Sequence, residues 1–358
     1  MSLYIAYLPD PDGSGRLDHL LQYALADAEK KTEIYWLDGA DEFCRAADSG
    51  QLEESRIIFA AELDISGINM EMMEVLRYLH RNRDCLAGAA AGILIDGSND
   101  CYTKDAGRRL AFAASMAGCT LPGKSLVEGT GSLKNYDVQA KTLHTNLYHA
   151  YEEAARKLVN KVLEFEVEEI SCPSILAVHA SSRKTSNSLV LWSKVREHLD
   201  GYAYIEEISL RDGEIWDCRG CKYEACLHYG ENSSCFYGGV MVEKVYPAIA
   251  RGDILVLICP NYNDSVSANI MAFINRLTAL FRTNDFSRKR FYALVVSGYS
   301  GSDIVAQQVI GAINMNKNFI LPAKFALMAT ANNPGSVLEI DDIDEQAAEF
   351  AQRILLRD

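Results

Sequence analysis

An internal repeat of about 200 residues constrains the fold of this chain more than any other feature of its sequence. Three pairs of similar segments occur in the same order, and the members of each pair lie 199, 200 or 201 positions apart. One such match could arise by chance, but three in register indicate a tandem duplication. The pairs are Phe59–Met70 with Ile258–Asn269, Ile93–Gly97 with Leu294–Gly298, and Leu121–Lys124 with Leu321–Lys324.

Short apolar runs of strand length alternate with helical patterns in the first half of the chain. This alternation predicts parallel strands joined by right-handed helical crossovers, which build a doubly wound sheet. The same order begins again at Ser174, so we expect an α/β protein with two five-stranded domains, residues 1–167 and 172–358. In the first half, the expected strands are Ser2–Leu8, Thr32–Leu37, Arg56–Ala61, Ala89–Ile95 and Lys124–Val127, and the expected helices span 16–31, 70–81, 106–117 and 147–165.

The composition and charge of the chain argue against two classes of binding partner, nucleic acids and membranes. The net charge of −14 argues against nucleic-acid binding, which needs a basic face. No apolar run reaches the roughly 18 residues of a membrane span, and the first residues lack the basic region of a signal peptide. Four of the ten cysteines crowd between positions 218 and 235, which favours a reducing compartment. We therefore expect a cytoplasmic protein with neither a nucleic-acid partner nor a membrane partner.

One loop of the second half is suited to an anion. Ile175–Val178 predicts a buried strand, and a helical pattern starts near Ser188. Backbone N–H groups and the dipole at a helix N-terminus attract an anion, and nearby hydroxyls can donate to its oxygens. The alternative is an ordinary capped loop between a strand and a helix. The polar side chains of this loop include Ser181, Ser182, Arg183, Thr185 and Ser186.

Two more polar loops follow predicted strands of the second half. Residues 259–265 come after the apolar run Ile254–Ile258, and residues 297–302 come after Ala293–Val296. Ligands of open parallel sheets bind outside the carboxyl ends of the strands. The amides, hydroxyls and tyrosines of these loops suit a flat heteroaromatic ring. Each loop alone could be a solvent-exposed turn, but three loops at one edge favour a binding site.

The first loop of the N-terminal half differs in charge from its counterpart. It carries Asp10 and Asp12 where the second half carries Ser181, Arg183 and Ser186. Because carboxylates repel a phosphate, this loop is a poor anion site. We therefore expect the N-terminal domain to have kept the fold and lost the ligand.

These motifs resemble those of a known family. Residues 180–188, Ala-Ser-Ser-Arg-Lys-Thr-Ser-Asn-Ser, resemble the Gly-Ser-Pro-Arg-Lys-x-Ser-Asn-Thr loop of NAD(P)H-dependent FMN reductases, a flavodoxin-like group that includes the iron–sulfur flavoproteins. Residues 259–269 and Phe273-Ile-Asn-Arg276 are similar to the Ser-Pro-Val-Tyr loop and the Phe-Ile-Asp-Arg helix of that family. The sequence departs from the pattern at Ala180, Ser182 and Asn261.

The resemblance implies two tandem flavodoxin-like domains, with FMN bound in the second. The FMN phosphate would contact the first loop, through Ser181, Arg183, Ser186, Asn187 and Ser188. The ribityl chain and the ring would contact Pro260, Asn261, Tyr262 and Asn263. The pyrimidine edge would face Ser297, Gly298, Tyr299 and Gly301.

A cysteine cluster lies between the second predicted strand of the C-terminal half and its helix. Cys218, Cys221, Cys226 and Cys235 are separated by two, four and eight residues. In the iron–sulfur flavoproteins a more compact motif at this place binds a [4Fe–4S] cluster. Four thiolates suit such a cluster or a tetrahedral zinc site. The alternatives without a metal are single buried cysteines or a redox-active pair at Cys218 and Cys221.

The function that the resemblance implies is an FMN-dependent oxidoreductase. FMN would take a hydride from NAD(P)H and pass electrons to an acceptor, directly or through an iron–sulfur cluster, and no side chain is nominated as a catalytic acid, base or nucleophile. The alternative is a non-catalytic redox sensor or electron carrier that uses the flavin or the thiols. The sequence leaves open the acceptor, the choice between NADH and NADPH, and whether the chain forms a homo-oligomer.

Overall fold

The computed structural model describes residues 2–181, 185–211 and 215–356. The chain divides into two compact units, Met1–Glu166 and Val167–Asp358. Each unit holds one five-stranded sheet in which all strand pairs are parallel, with helices flanking it. The two α/β domains expected from the repeat, and the flavodoxin-like fold implied by the resemblance, are therefore confirmed.

The N-terminal unit follows the predicted alternation of strands and helices. Its strands are β1 (Ser2–Leu8), β2 (Glu33–Asp38), β3 (Arg56–Leu63), β4 (Ala90–Gly97) and β5 (Leu126–Gly129). Its helices are α1 (Leu17–Leu25), α2 (Gly39–Asp48), α3 (Met70–Arg81), α4 (Thr103–Met116), α5 (Asp137–Leu143) and α6 (Leu147–Leu163), and a short 3-10 helix covers Lys134–Tyr136.

The C-terminal unit repeats this order. Its strands are β6 (Ser174–His179), β7 (Tyr204–Ser209), β8 (Ile254–Pro260), β9 (Arg290–Ser297) and β10 (Ala326–Thr330). Its α-helices are α7 (Asn187–Leu199), α8 (Tyr223–Gly230), α9 (Tyr246–Arg251), α10 (Ala268–Phe281), α11 (Ser302–Val309) and α12 (Ile343–Leu355). Two π-helical turns cover Met241–Val245 and Ile310–Met315, and a 3-10 helix covers Ser336–Glu339.

The two sheets share one topology. The strand orders are β2-β1-β3-β4-β5 and β7-β6-β8-β9-β10. Strands at the centre of each sheet are covered on both faces, and β4 and β9 are buried along their whole length. That burial explains why these strands consist of nearly continuous apolar residues instead of alternating ones. The order also places the switch point of the second sheet between β6 and β8, where a doubly wound fold binds its ligand.

The cysteine segment is an insertion relative to the N-terminal repeat. Residues 39–55, 17 in number, connect β2 to β3, whereas the 44 residues 210–253 connect β7 to β8. The connection in the second unit therefore has room for α8, a π-helical turn and α9, where the first unit has α2 alone.

The predicted helix over 16–31 is too long. Helix α1 ends at Leu25, and residues 26–31 form turns in which the Lys31 N–H donates to the carbonyl of Ala28. The chain must turn back here so that Glu33 can pair with Ser2 on the neighbouring strand, and this tertiary demand overrides local helix propensity. By contrast, α3 has its expected bounds, and the Asn69 side chain caps it by accepting the Met72 N–H at 2.7 Å.

The helices within the described ranges include none that is long and apolar enough to cross a membrane.

Candidate functional site

The loop after β6 brings buried hydroxyls to the N-terminus of α7. Ser181 and Ser188 are almost fully buried, and Ser186 precedes the first residue of the helix. The Ser181 hydroxyl has no hydrogen-bond partner among the described residues. A buried hydroxyl without a partner is costly, so this atom is suited to meet a ligand oxygen. Arg183, the guanidinium expected here, lies outside the described residues.

Asn187 joins the first loop to a loop that follows β10. Its side-chain amide donates to the carbonyls of Ala331 at 3.0 Å and Asn333 at 2.8 Å. Its side-chain oxygen accepts the Gly335 N–H at 2.8 Å. The nitrogen and the oxygen of the Asn187 side chain therefore both bind the backbone of the loop after β10. Asn187 would affect the phosphate loop by fixing the position of its backbone.

Asn261 joins the second and third predicted loops. Its amide nitrogen lies 3.1 Å from the Ser297 hydroxyl and 2.9 Å from the Ser300 carbonyl. Ser302 extends the contact by donating its hydroxyl to that of Ser297 at 2.7 Å. The side-chain oxygen of Asn261 is buried and has no partner among the described residues. Like the Ser181 hydroxyl, it is a buried polar atom available to a ligand, and as an amide oxygen it would accept from a ligand donor.

A fourth loop, residues 331–335, belongs to the site and was missed by sequence reasoning. Asn332 donates its amide to the hydroxyl of Tyr299 at 3.0 Å, so this loop contacts the third loop as well as Asn187. Its signal was the turn sequence Ala-Asn-Asn-Pro-Gly directly after the last strand. Applying the rule of ligands at strand carboxyl ends to all strands would have found it. The four loops therefore form one continuous hydrogen-bonded rim.

Two glycines of the third loop permit close approach of the backbone. Gly301 has φ of +85°, and a Cβ there would lie 2.2 Å from a carboxylate oxygen of Asp264. A Cβ on Gly298 would lie 3.0 Å from the side-chain oxygen of Asn332. The left-handed backbone favours glycine at position 301, and a Cβ at either position would crowd a polar side chain of a neighbouring loop.

The remaining predicted residues form an open aromatic border. Tyr299 is 81% exposed and Tyr262 is 54% exposed, so their ring faces are accessible to a planar ligand. Pro260 ends β8, and Asn263 adopts a left-handed conformation in the turn between Tyr262 and Ser265. Cys259 is buried and takes no part in this border. Burial also raises the pKa of its thiol to about 12, so the thiol stays neutral.

In the N-terminal unit, carboxylates of the chain itself occupy the corresponding loop. Glu62, near the end of β3, accepts the Gly15 N–H and the Ser14 hydroxyl. Asp96, near the end of β4, accepts the same hydroxyl and lies 2.8 Å from a guanidinium nitrogen of Arg16. Asp10 and Asp12, which were expected to repel a phosphate, lie in the partly exposed outer part of the loop. The donors that a phosphate would need are thus engaged by Glu62 and Asp96.

The four clustered cysteines line one cavity of about 340 Å³. Cys218 and Cys221 are exposed, whereas Cys226 and Cys235 are partly buried. Their cavity is otherwise walled mainly by aromatic and apolar groups, among them Phe236. Across the described ranges, no three His, Cys, Asp or Glu side chains adopt a metal-ligating arrangement. The four thiols therefore share one cavity, but they are not drawn together around one point.

A buried arginine also lines this cavity. Arg276 is only 2% exposed, and one guanidinium nitrogen donates to the Gly238 carbonyl at 2.9 Å. Its other two nitrogens are buried and have no hydrogen-bond partner among the described residues. An unpaired buried cation is costly, so the cavity is suited to an anionic occupant. A set of thiolates around a metal would have that charge.

The rim of four loops fits FMN by its chemistry. The buried Ser181 hydroxyl and the N-terminus of α7 suit a phosphate, and the buried oxygen of Asn261 suits a donor of the ribityl chain or the ring. The exposed rings of Tyr262 and Tyr299 suit a planar heteroaromatic group.

A family model described as NADPH-dependent FMN reductase matches residues 173–333. The matched stretch contains all four loops of the rim except the end of the fourth, and it includes the cysteine segment. No curated protein sequence matches the chain.

Solved structures that resemble this chain cover about half of it. RosB with a bound riboflavin phosphate derivative is 16% identical over 51% of this chain and 79% of its own, with a TM-score of 0.40. The apo NADH:FMN oxidoreductase EMOB is 17% identical over 51% and 89%, with a TM-score of 0.36. The NAD(P)H:quinone oxidoreductase from Methanothermobacter marburgensis is 16% identical over 51% and 94%, also with a TM-score of 0.36. At such identities and TM-scores these similarities carry no argument about activity. The family match and the rim of loops agree: residues 173–333, in the C-terminal half of the chain, are similar to the NADPH-dependent FMN reductases.

Proposed function

We propose that the C-terminal unit binds one FMN and that the chain uses it to oxidise NAD(P)H and to pass the electrons to a separate acceptor. The observation that carries the proposal is the buried Ser181 hydroxyl beside the N-terminus of α7, which has no hydrogen-bond partner in the described part of the chain and lies within the stretch that matches the family. FMN, when bound, supplies the hydride-accepting and electron-donating chemistry. The chain supplies a phosphate loop, hydrogen-bonding loops and aromatic faces that hold the cofactor.

Turnover of NAD(P)H separates this function from its alternative. Purified full-length protein reconstituted with FMN should oxidise NADH or NADPH in the presence of a quinone or ferricyanide. The rate should exceed that of free FMN at the same concentration. Protein that holds FMN tightly but does not exceed free FMN would instead support a redox sensor or electron carrier.

The N-terminal unit is proposed to remain free of flavin. Glu62 and Asp96 engage the loop donors that a phosphate would need, and displacing two carboxylates by a phosphate would bring like charges together. Titration with FMN, followed by flavin fluorescence and by protein quantification, should therefore saturate at one FMN per chain. Two flavins per chain would contradict the assignment of the N-terminal unit.

Two variants of the phosphate loop should weaken FMN binding. Ser181→Ala and Arg183→Ala each remove a donor expected to face the phosphate. Loss of a hydrogen bond to a charged group costs roughly 1.5–3 kcal/mol, or about ten- to a hundredfold in affinity. Fluorescence titration measures the FMN affinity of each variant. Ser193→Ala, an exposed serine on α7, is the matched control and should bind like the wild type. FMN affinity unchanged in both loop variants would mean that the phosphate lies elsewhere.

We further propose that Cys218, Cys221, Cys226 and Cys235 hold one metal centre, a [4Fe–4S] cluster in preference to zinc. The four thiols line a single cavity, and the buried guanidinium of Arg276 offers a compensating positive charge. A compensating charge matters more for an iron–sulfur cluster than for zinc, because the total charge of the cluster changes when it is reduced. Iron, zinc and acid-labile sulfide analysis of anaerobically purified protein decides between the two metals.

A further inference from the structure

A second cavity adjoins the cysteine cavity and has a different chemical character. Its volume is about 540 Å³, within the roughly 300–1,000 Å³ typical of small-molecule sites. The two cavities share Asn275 and Thr278 on α10. The second cavity also receives Lys317, which follows the π-helical turn Ile310–Met315. We call this cavity the Lys317 cleft.

Two cations line the Lys317 cleft, and neither pairs with a carboxylate among the described residues. The Lys317 ammonium lies 3.0 Å from the Thr278 hydroxyl, and Arg282 holds its guanidinium over the ring of Tyr223, 4.4 Å from the centroid. The Nε of Arg282 is buried without a hydrogen-bond partner in those same ranges. The lining residues that the structure describes include two cations and no acidic side chain, although the whole chain has a net charge of −14.

The surroundings make this positive charge costly without a ligand. Burial lowers the pKa of Lys317, and the charge of Arg282 acts in the same direction. The Cys218 side chain is the group that offsets this effect. Two neighbouring cations repel each other when they are partly removed from water, and an anion between them would relieve that repulsion.

Apolar groups complete the cleft. Met271 and Ile274, on α10, line the same cavity as the two cations, together with the ring of Phe281. The π-helical turn before Lys317 is an irregularity of a kind that often accompanies functional sites. A ligand that fits would therefore combine one anionic end with an apolar body.

We infer that the Lys317 cleft binds a small anionic ligand, with a carboxylate or phosphate held by Lys317 and Arg282 and an apolar body against Met271 and Ile274. This inference does not depend on flavin chemistry. The cleft shares side chains with the cysteine cavity, so a ligand bound here would lie beside the proposed metal centre.

The test uses the full-length protein loaded with FMN, so that the phosphate loop is occupied. Ligand-observed NMR measures the binding of benzoate, phenyl phosphate and benzamide, the last being an uncharged match for benzoate. Benzoate or phenyl phosphate should bind, and benzamide should bind at least about tenfold more weakly. The anion that binds more tightly shows whether the Lys317 cleft prefers a carboxylate or a phosphate. Benzamide binding as tightly as both anions, or binding of neither anion, would overturn the inference.

Variants locate the binding in the Lys317 cleft. Lys317→Gln and Arg282→Gln should each weaken the tighter anion by about tenfold or more, whereas Lys317→Arg should retain most of the affinity. Lys244→Gln removes an exposed lysine of the same unit and should change nothing. Circular dichroism and FMN content establish that each variant is folded. Unchanged anion binding in both glutamine variants would overturn the inference, even if NAD(P)H oxidation is intact. Conversely, anion binding that depends on Lys317 in a protein without such oxidation would leave it standing.

Discussion

Replacing Asp96 by alanine should destabilise the N-terminal unit by about 3–5 kcal/mol, because it breaks a buried charge network. The Asp96 side chain is fully buried and lies 2.8 Å from Arg16, and its second oxygen accepts the Tyr151 hydroxyl at 3.0 Å. Burial, and after it the charge of Asp96, raises the pKa of Tyr151 well above its ordinary value, so the tyrosine remains a neutral donor. Without Asp96, the buried Tyr151 hydroxyl loses its acceptor, and the partly buried Arg16 guanidinium loses its carboxylate and keeps backbone carbonyls as acceptors.

Hydrogen exchange measured by mass spectrometry on peptides from residues 1–166 reports this change without requiring two-state unfolding of the whole chain. Asp105→Ala is the matched control, since Asp105 pairs with Arg108 and Arg109 on the surface of α4. Exposed pairs contribute about 0–1 kcal/mol, so its effect should be small. If the Asp96 and Asp105 variants lose similar stability, the buried network is not what holds the loop of this unit.

The second large effect is expected from the cysteines. Changing any one of Cys218, Cys221, Cys226 and Cys235 to serine should abolish the proposed metal centre, because a four-thiolate site needs all its ligands. FMN should remain bound, since the rim of loops consists of other residues. The visible spectrum reports both outcomes, because the bands of a flavin differ from the broad absorption of an iron–sulfur cluster.

Cys172→Ser serves as the control for these variants. Cys172 is exposed, belongs to the same unit and lies outside the cysteine cavity. It should keep full iron and sulfide content. Wild-type protein with neither iron nor zinc above trace level would contradict the metal centre and leave the flavin proposal intact. Loss of iron in Cys172→Ser as well would show that metal content follows general thiol oxidation and not ligation.

Much of the fold followed from local patterns. Strands such as Ile254–Pro260 are apolar runs because both faces of a parallel sheet are covered, and burial of that kind is visible in sequence alone. The near-constant spacing between halves predicted a second sheet with the topology of the first, which the strand orders confirm. The cysteine cluster was also located from the sequence, whereas the longer connection between β7 and β8 in which it lies was not predicted.

The candidate site was predicted by residue type but not by contact. Asn187 was expected to face a phosphate, and the sequence did not predict that its amide donates to carbonyls 144 and 146 positions later in the chain. Arg276 was part of a family-like motif, and nothing in that motif indicated a buried guanidinium at the wall of the cysteine cavity. Partners so distant along the chain are chosen by the positions of whole strands and helices.

By itself, the sequence determined the strand and helix alternation, the duplication, the loops that carry polar side chains and the grouping of the four cysteines. These properties depend on hydrophobic periodicity and on neighbours within a few residues. Only the tertiary structure decided that Glu62 and Asp96 occupy the loop of the N-terminal unit, and that the four loops of the C-terminal unit form one rim. Side chains from strands far apart in sequence meet only after the sheet order has placed their carboxyl ends at a common edge. Hydrogen-bond partners and unpaired buried charges are therefore properties of the assembled sheet.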